Sequence, residues 1–253
     1  MIRQRGFSLI EMAFVLVIIT LLLGGLLVPF TTQVEQRRIA ETQKGMEEIK
    51  EALVGYALSH PSTSTPSQPY LPCPDATVIP VVGGGIPNDG QEDRNAGACA
   101  VAEGNLPWVD LGLSPADAWG NRFHYRVDLD FANSVNGFSL ATVGDIVICK
   151  NAACVVADRV ANSIPASVLS YGKNGYGALN ANRLAGDVTP NPCPPPATTC
   201  TMDEAKNIDA SDALFVSRTL TAVGTPAGEF DDLVTWLSPN ILFNRMVAAG
   251  KLP

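Results

Sequence analysis

The sequence predicts an α+β protein: a long N-terminal helix, apolar in its first half and amphipathic in its second, packed on a loop-rich antiparallel β-sheet head that is stapled by disulfides. Three observations predict it. An apolar run, free of charge from Met12 to Phe30, leads into a charged stretch whose apolar residues keep a helical period. Beyond about residue 60, short alternating segments lie between turns built from the chain's 22 glycines and 19 prolines, punctuation that suits a loop-rich body rather than a helical bundle. All six cysteines lie downstream of the apolar run.

The chain has 253 residues, enough for one medium domain or two small ones. Its 46% apolar content supplies a core, and charged residues make up only 17% with a net charge of −8. That balance makes a polyanion such as nucleic acid an unfavourable partner, because phosphate binding rests on clustered Lys and Arg.

The N-terminal run comes first. The 19 residues from Met12 to Phe30 span roughly 28 Å as a helix, close to a bilayer core. Arg3 and Arg5 precede it, as in a secretory signal, but the apolar core is too long for one and no A-x-A cleavage site follows. A buried core helix does not fit an uninterrupted run of this length. A plain membrane anchor fits it but leaves Glu11 unexplained, since a carboxylate at bilayer depth costs about 2.5–3.5 kcal/mol.

The segment RGFSLIEM, Arg5–Met12, resembles the processing site of type IV prepilins and type II secretion pseudopilins. The resemblance implies a leader over residues 1–6, cleavage between Gly6 and Phe7 by prepilin peptidase, N-methylation of Phe7, and Glu11 as the fifth residue of the mature chain. The letters GFSL recur at Gly137–Leu140 with no apolar run behind them, so the context carries the resemblance. Cleavage would create a cationic amine on Phe7, one helical turn from Glu11. Pairing with an amine offsets the cost of burying the carboxylate. The chain's own amine is one partner; the resemblance implies the amine of a neighbouring subunit as the other. The implied layout is a transmembrane and filament-core helix over 7–30, an amphipathic continuation over 31–59, a linker over 60–70 and a pilin-like head over 71–253, together a lollipop. Arg3 and Arg5 place the N-terminus in the cytoplasm; Arg37 and Arg38 at the far end oppose that, and the cysteines point to an exported, periplasmic head.

Helix is expected to continue from Gln33 to Ser59. Ile39, Met46, Ile49, Leu53 and Tyr56 form one stripe, with most charges off it. The stripe predicts packing on the chain's own head; a free coiled-coil seam is the alternative. Gly24–Gly25 and Pro29 are the points where this helix, on the order of 80 Å from Phe7 to Ser59, would soften. The Pro-, Ser- and Thr-rich segment SHPSTSTPSQPYLPCP then reads as the linker.

In the head, strands are expected within Asn121–Ala132, on both sides of a tight Cys149–Cys154 loop, within Ala213–Val223 and within Phe230–Ser238. A last helix runs from a Ser238 cap through Pro239 to a stop at Gly250. For the cysteines, the sequential pairing Cys73–Cys99, Cys149–Cys154 and Cys193–Cys200 closes the shortest loops and is the expected one among 15 connectivities. A zinc site is the rival reading, but the close spacings are C-x4-C and C-x6-C and the only histidines are His60 and His124.

Three head segments, LSPADAWGNRFHYRV, LSYGKNGYGALN and DDLVTW, are similar in kind and order to segments of major type II secretion pseudopilins. This chain is much longer, with insertions that hold most of its cysteines, which implies a minor subunit. The resemblance also implies a calcium site before the Asp-x-x-Trp segment, with Asp231 and Asp232 matching and Asp187 a looser candidate. Solvated or turn-capping carboxylates are the favoured reading of these residues, with calcium the lesser one. Asn88–Gly97 fails the EF-hand spacing and reads as a polar turn. No cofactor is expected, calcium at that position being the one possibility. The chain also reads as non-enzymatic: GFSLA, Gly137–Ala141, lacks the second glycine of a nucleophile elbow, and GKNGYG, Gly172–Gly177, lacks phosphate-loop spacing. Trp108, Trp119 and Trp236 read as core or sheet aromatics.

The expected function is therefore that of a structural subunit, a minor one, of a type II secretion pseudopilus or type IV pilus-like filament. Its partners would be other pilin or pseudopilin subunits, prepilin peptidase and the inner membrane, which it would cross once. A membrane-tethered periplasmic binding module that does not polymerise is the alternative.

Overall fold

The computed structural model describes residues 8–64, 66–78, 85–182, 190–193 and 200–253, the side chains of 21–30 excepted. The elements in chain order are α1 (Leu9–Ser59), β1 (Arg94–Asn95), β2 (Ala98–Cys99), β3 (Glu103–Asn105), α2 (Trp108–Leu111), β4 (His124–Val127), β5 (Ile146–Cys149), β6 (Arg159–Ile164), β7 (Ala166–Ser170), α3 (Met202–Ile208), β8 (Leu214–Val216), β9 (Leu233–Leu237) and α4 (Pro239–Ala248). The chain divides into two compact units, Met1–Glu41 and Thr42–Pro253, and α1 contributes to both. The first unit is helical from Leu9, with Leu9, Ile10, Phe14 and Leu16 exposed.

In the second unit the end of α1 is amphipathic as its spacing predicts. Met46, Ile49, Leu53 and Tyr56 are buried, joined by Val54 and Ala57, each large side chain contributing about 1.5–3 kcal/mol. Gly45 lies beside the Phe123 ring. Buried Thr42 accepts a hydrogen bond through Oγ1 from the Ala118 N–H (3.2 Å), which ties the Trp119-Gly120-Asn121 turn to the helix.

The main sheet has the order β3-β4-β7-β9 and every pair in it is antiparallel. Alternation along Arg122–Val127 buries Phe123, Tyr125 and Val127 and leaves Arg122, His124 and Arg126 on the other face. The fully buried strand β7, ASVLS, is the central partner of β4 and β9; its unbroken burial gives no polar alternation to read. A second sheet, β6-β5-β8, shares a core with the first: Ile146, Ile148, Ile164 and Phe215 meet Leu169 and Tyr171, with Val234 and Trp236 packed alongside. Here the antiparallel expectation needs correction, because β5 and β8 run parallel. Helix α3 lies in the connection that returns the chain to that edge.

Three disulfides close as the sequence spacing predicts: Cys73–Cys99, Cys149–Cys154 and Cys193–Cys200. Other expectations shift. Strand structure stops at Val127, because buried Asp128 accepts from the Asp130 and Asp145 N–H groups and turns the chain. Only Leu214–Val216 of Ala213–Val223 is strand, and the strand after the Cys149–Cys154 loop starts at Arg159. The described residues of the expected linker are tied down by hydrogen bonds: Ser62 N–H donates to the Gln68 carbonyl (2.7 Å) and Thr63 N–H to the Ser134 carbonyl (3.1 Å). The helix after Ser238 forms with Pro239 at its start, but the Ser238 hydroxyl makes no capping bond. The Asn88–Gly97 turn also turns inward. Asp93 is buried and accepts from the Ala76 N–H (2.8 Å).

Candidate functional site

Two groups of residues carry the functional expectations. The first is the start of α1. Glu11 Oε2 accepts from the Ser8 N–H (2.8 Å), and the Ser8 hydroxyl accepts from the Glu11 N–H (3.3 Å). This reciprocal pair is a capping box, Ser at the cap and Glu three residues on, and it satisfies donors that every helix start leaves open. It is readable in the segment SLIE, Ser8–Glu11, although the glutamate's place in an apolar run draws the eye first. Gly6 and Phe7 lie outside the described residues. Among the described residues no helix is long and apolar enough to cross a membrane; the expected span over 7–30 runs through residues 21–30, whose side chains are not described.

The second group gathers at the end of β7. Glu204, Asp231 and Asp232 each present a carboxylate oxygen, and these atoms lie within 4.8 Å of one another. Three elements bring them together. Glu204 sits in the first turn of α3, where it completes a capping box with Thr201 and accepts from Asn174 Nδ2 (2.9 Å). Asp231 and Asp232 precede β9. Asp231 Oδ2 accepts from the Asn174 N–H (2.7 Å), and Asp232 Oδ2 accepts from Asn207 Nδ2 (2.8 Å). Asn207 also bonds both backbone groups of Val216, so it joins α3, β8 and the carboxylates. Gly172 closes the other side: an added Cβ there would fall on the Asp231 carbonyl oxygen, and its φ of +57° suits glycine.

Burial is the main electrostatic fact of this cluster. It pushes the Asp231 carboxyl up to about 7, with the Glu204 and Glu229 charges adding to it. Burial pushes Asp232 well above the usual carboxylate range, aided by Asp231 and Glu204. Asp231 Oδ1 is buried without a hydrogen-bond partner. An ionised carboxylate oxygen only accepts, so this orphan calls for a proton or a cation. Hard oxygen donors suit calcium, which takes six to eight of them, and the residues present fit that ion in kind. Of the predicted candidates, Asp231 and Asp232 do come together; Asp187 lies outside the described residues. Glu204 was missed by sequence reasoning. The spacing T-M-D-E, Thr201–Glu204, was the available signal, since it marks a helix start.

Residues 1–27 match the family model of the prokaryotic N-terminal methylation motif. This is the prepilin and pseudopilin signature, and it indicates a type IV pilin-like or pseudopilin substrate of prepilin peptidase, with assembly among other pilins implied. The match covers the leader, the expected cleavage point, Glu11 and most of the apolar run, and it does not extend into the head. Neither the curated proteins nor the solved structures contain a match to the chain.

Proposed function

We propose that the chain is a minor structural subunit of a type II secretion pseudopilus or type IV pilus-like filament. The observation that carries this reading is the methylation motif at residues 1–27, which takes in most of the apolar run and is followed by a disulfide-stapled head. Prepilin peptidase removes residues 1–6, Phe7 becomes the methylated N-terminus, and Glu11 meets an amine as the apolar helices bundle. The helix over 7–30 stores the subunit in the inner membrane, with the N-terminus cytoplasmic and the head periplasmic. The head is non-enzymatic: Ser139 lies in an exposed turn, and both histidines sit in aromatic settings, His60 stacked on Tyr56 and His124 beside Tyr171.

The carboxylate cluster has a supporting role in this reading. Glu204, Asp231 and Asp232 would hold calcium, which would supply positive charge to a buried group of acids. The orphaned Asp231 Oδ1 supports that assignment.

The decisive experiment is intact-mass analysis of the membrane-extracted protein. Loss of Met1–Gly6 together with one methyl group on Phe7 is the expected result. A chain that keeps its leader in a host with active prepilin peptidase would refute the filament reading and leave a tethered module in its place.

A further inference from the structure

A cavity of about 510 Å³ opens over the face of the main sheet that points away from Phe123 and Tyr125. Strand alternation sets three nitrogen-bearing side chains into its wall: Arg122, His124 and Arg126. The rest of the wall is mostly apolar, including Val101, Leu179 and Ile208, and it holds one carboxylate, Glu103. In a chain of net charge −8, two guanidinium groups in one cavity stand out.

Its partners set Arg122 apart further. Arg94, Arg126, Arg218 and Arg245 each pair with a carboxylate: Glu92, Glu103, Asp203 and Glu51. Arg122 pairs with none among the described residues. Its guanidinium lies flat on Trp108, 4.1 Å from the ring centroid, which covers one face and leaves its N–H edge for an acceptor. Arg122 Nη1 and Arg126 Nε are both buried without a hydrogen-bond partner. Buried donors of this kind are costly unless they find acceptors.

The nearby acids do not supply those acceptors. Glu103 is engaged by Arg126 Nη1 (2.6 Å), and Asp145 Oδ2 is 4.0 Å from Arg126 Nη2. Asp75 is close enough to influence Arg122 electrostatically, but its oxygens accept from the Asn88 and Gly90 N–H groups (2.7 and 3.0 Å). Burial also raises its carboxyl to about 7, which weakens it as a counter-ion. His124 is held neutral by burial and lies 4.0 Å from Glu103.

We propose that this cavity binds a small organic carboxylate, its anionic group on Arg122 and its apolar body against the remaining wall. A planar guanidinium edge matches a carboxylate in two parallel hydrogen bonds. The mostly apolar lining favours a carboxylate with a hydrocarbon body over a bare inorganic anion. This site is separate from the Glu204–Asp231–Asp232 cluster and does not depend on filament assembly.

The test is a titration of the full-length chain in detergent with benzoate, benzyl alcohol and inorganic phosphate, followed by calorimetry and ¹H–¹⁵N spectra. Benzoate should bind saturably and shift the Arg122 Nε and Trp108 indole signals. Arg122→Gln should weaken it about tenfold or more, the loss expected for a charge-assisted pair. Equal binding of benzyl alcohol would overturn the proposal, because the cavity would then be selecting shape alone. Phosphate binding without benzoate binding would overturn the carboxylate assignment. Absence of any shift at Arg122 Nε and Trp108 in the unaltered chain would overturn the site itself, whether or not the variant folds.

Discussion

If Glu204, Asp231 and Asp232 hold calcium, removing it should cost a predictable amount and in a predictable pH window. Asp231 titrates near 7 rather than 3.8 because it is buried among acids. At ~1.4 kcal/mol per pH unit, ionising it in the folded head costs ~4 kcal/mol more than in the unfolded chain. The folded-state value is raised, so the folded head holds its proton longer. The associated stability is complete below about pH 4 and is lost as pH rises towards 7. Asp232, pushed higher by the same burial, acts with the same sign, while buried His124 acts oppositely by resisting protonation below its ordinary 6.5. A cation present at about 100 times its Kd returns ~2.7 kcal/mol. For a head of roughly 200 residues that is about 5–10 °C in Tm. The assay is thermal unfolding from pH 5 to pH 8, with calcium or with EGTA. With EGTA the Tm should fall as pH rises; with calcium the fall should flatten. Asp231→Asn should lose most of the calcium effect and show a shallower fall with pH, the remainder coming from Asp232 and the other buried carboxyls. A wild-type Tm that is the same at pH 8 with calcium and with EGTA would refute the metal reading, and a proton shared within the cluster would then account for the orphaned oxygen.

Three further outcomes follow from particular contacts. Replacing Cys73 and Cys99 by Ser releases a loop with a sequence separation of 26 and should cost ~3.5 kcal/mol by the loop-entropy relation, read from denaturant unfolding. Gly172→Ala meets the Asp231 carbonyl at a left-handed backbone position and should cost at least ~2 kcal/mol from overlap and strain together; an unchanged midpoint would show that the turn can open freely. Asn207→Ala strips three hydrogen bonds from Val216 and Asp232 and should cost about 2–4 kcal/mol, with amide exchange accelerated in β8.

The parts of this protein that were legible in its sequence are those where one physical signal dominated. The stripe through Met46, Ile49, Leu53 and Tyr56 is such a case: nothing in it competes with helix, and those residues are buried. The nearest-neighbour disulfides are another, because short loops close at small entropic cost. Strand β7 was not legible. ASVLS is short, mixes Ala and Ser with apolar residues, and is buried on both faces, so it shows no alternation. The parallel pairing of β5 with β8 was hidden for a different reason. It depends on a long return through α3, and no local property of Leu214–Val216 specifies which neighbour it meets. The carboxylate cluster was half visible. Asp231 and Asp232 are adjacent in sequence, whereas Glu204 arrives from 27 residues away through the packing of α3.

Glu11 remains the residue on which the functional reading turns: the structure gives it a capping role, and the proposed function adds pairing with an amine. Its Oε2 holds the Ser8 N–H, while a carboxylate has about four acceptor sites. Capping therefore leaves Oε1 for an amine, whether the chain's own after cleavage or a neighbour's. Glu11→Gln separates the roles. Glutamine serves at the third position of a capping box as glutamate does, so the helix start should persist, with Ser8→Ala as the variant that weakens it by ~1 kcal/mol. Glutamine carries no charge to set against an amine. If amine pairing drives assembly, Glu11→Gln should be processed normally and fail to enter filaments, and Ser8→Ala should enter them. If capping is what matters, the outcomes reverse: Glu11→Gln co-purifies with filaments and Ser8→Ala is depleted from them. Quantifying each variant in sheared filament fractions decides between the two, and the reversed pattern would remove the charge-pair account of Glu11 while leaving the processing motif intact.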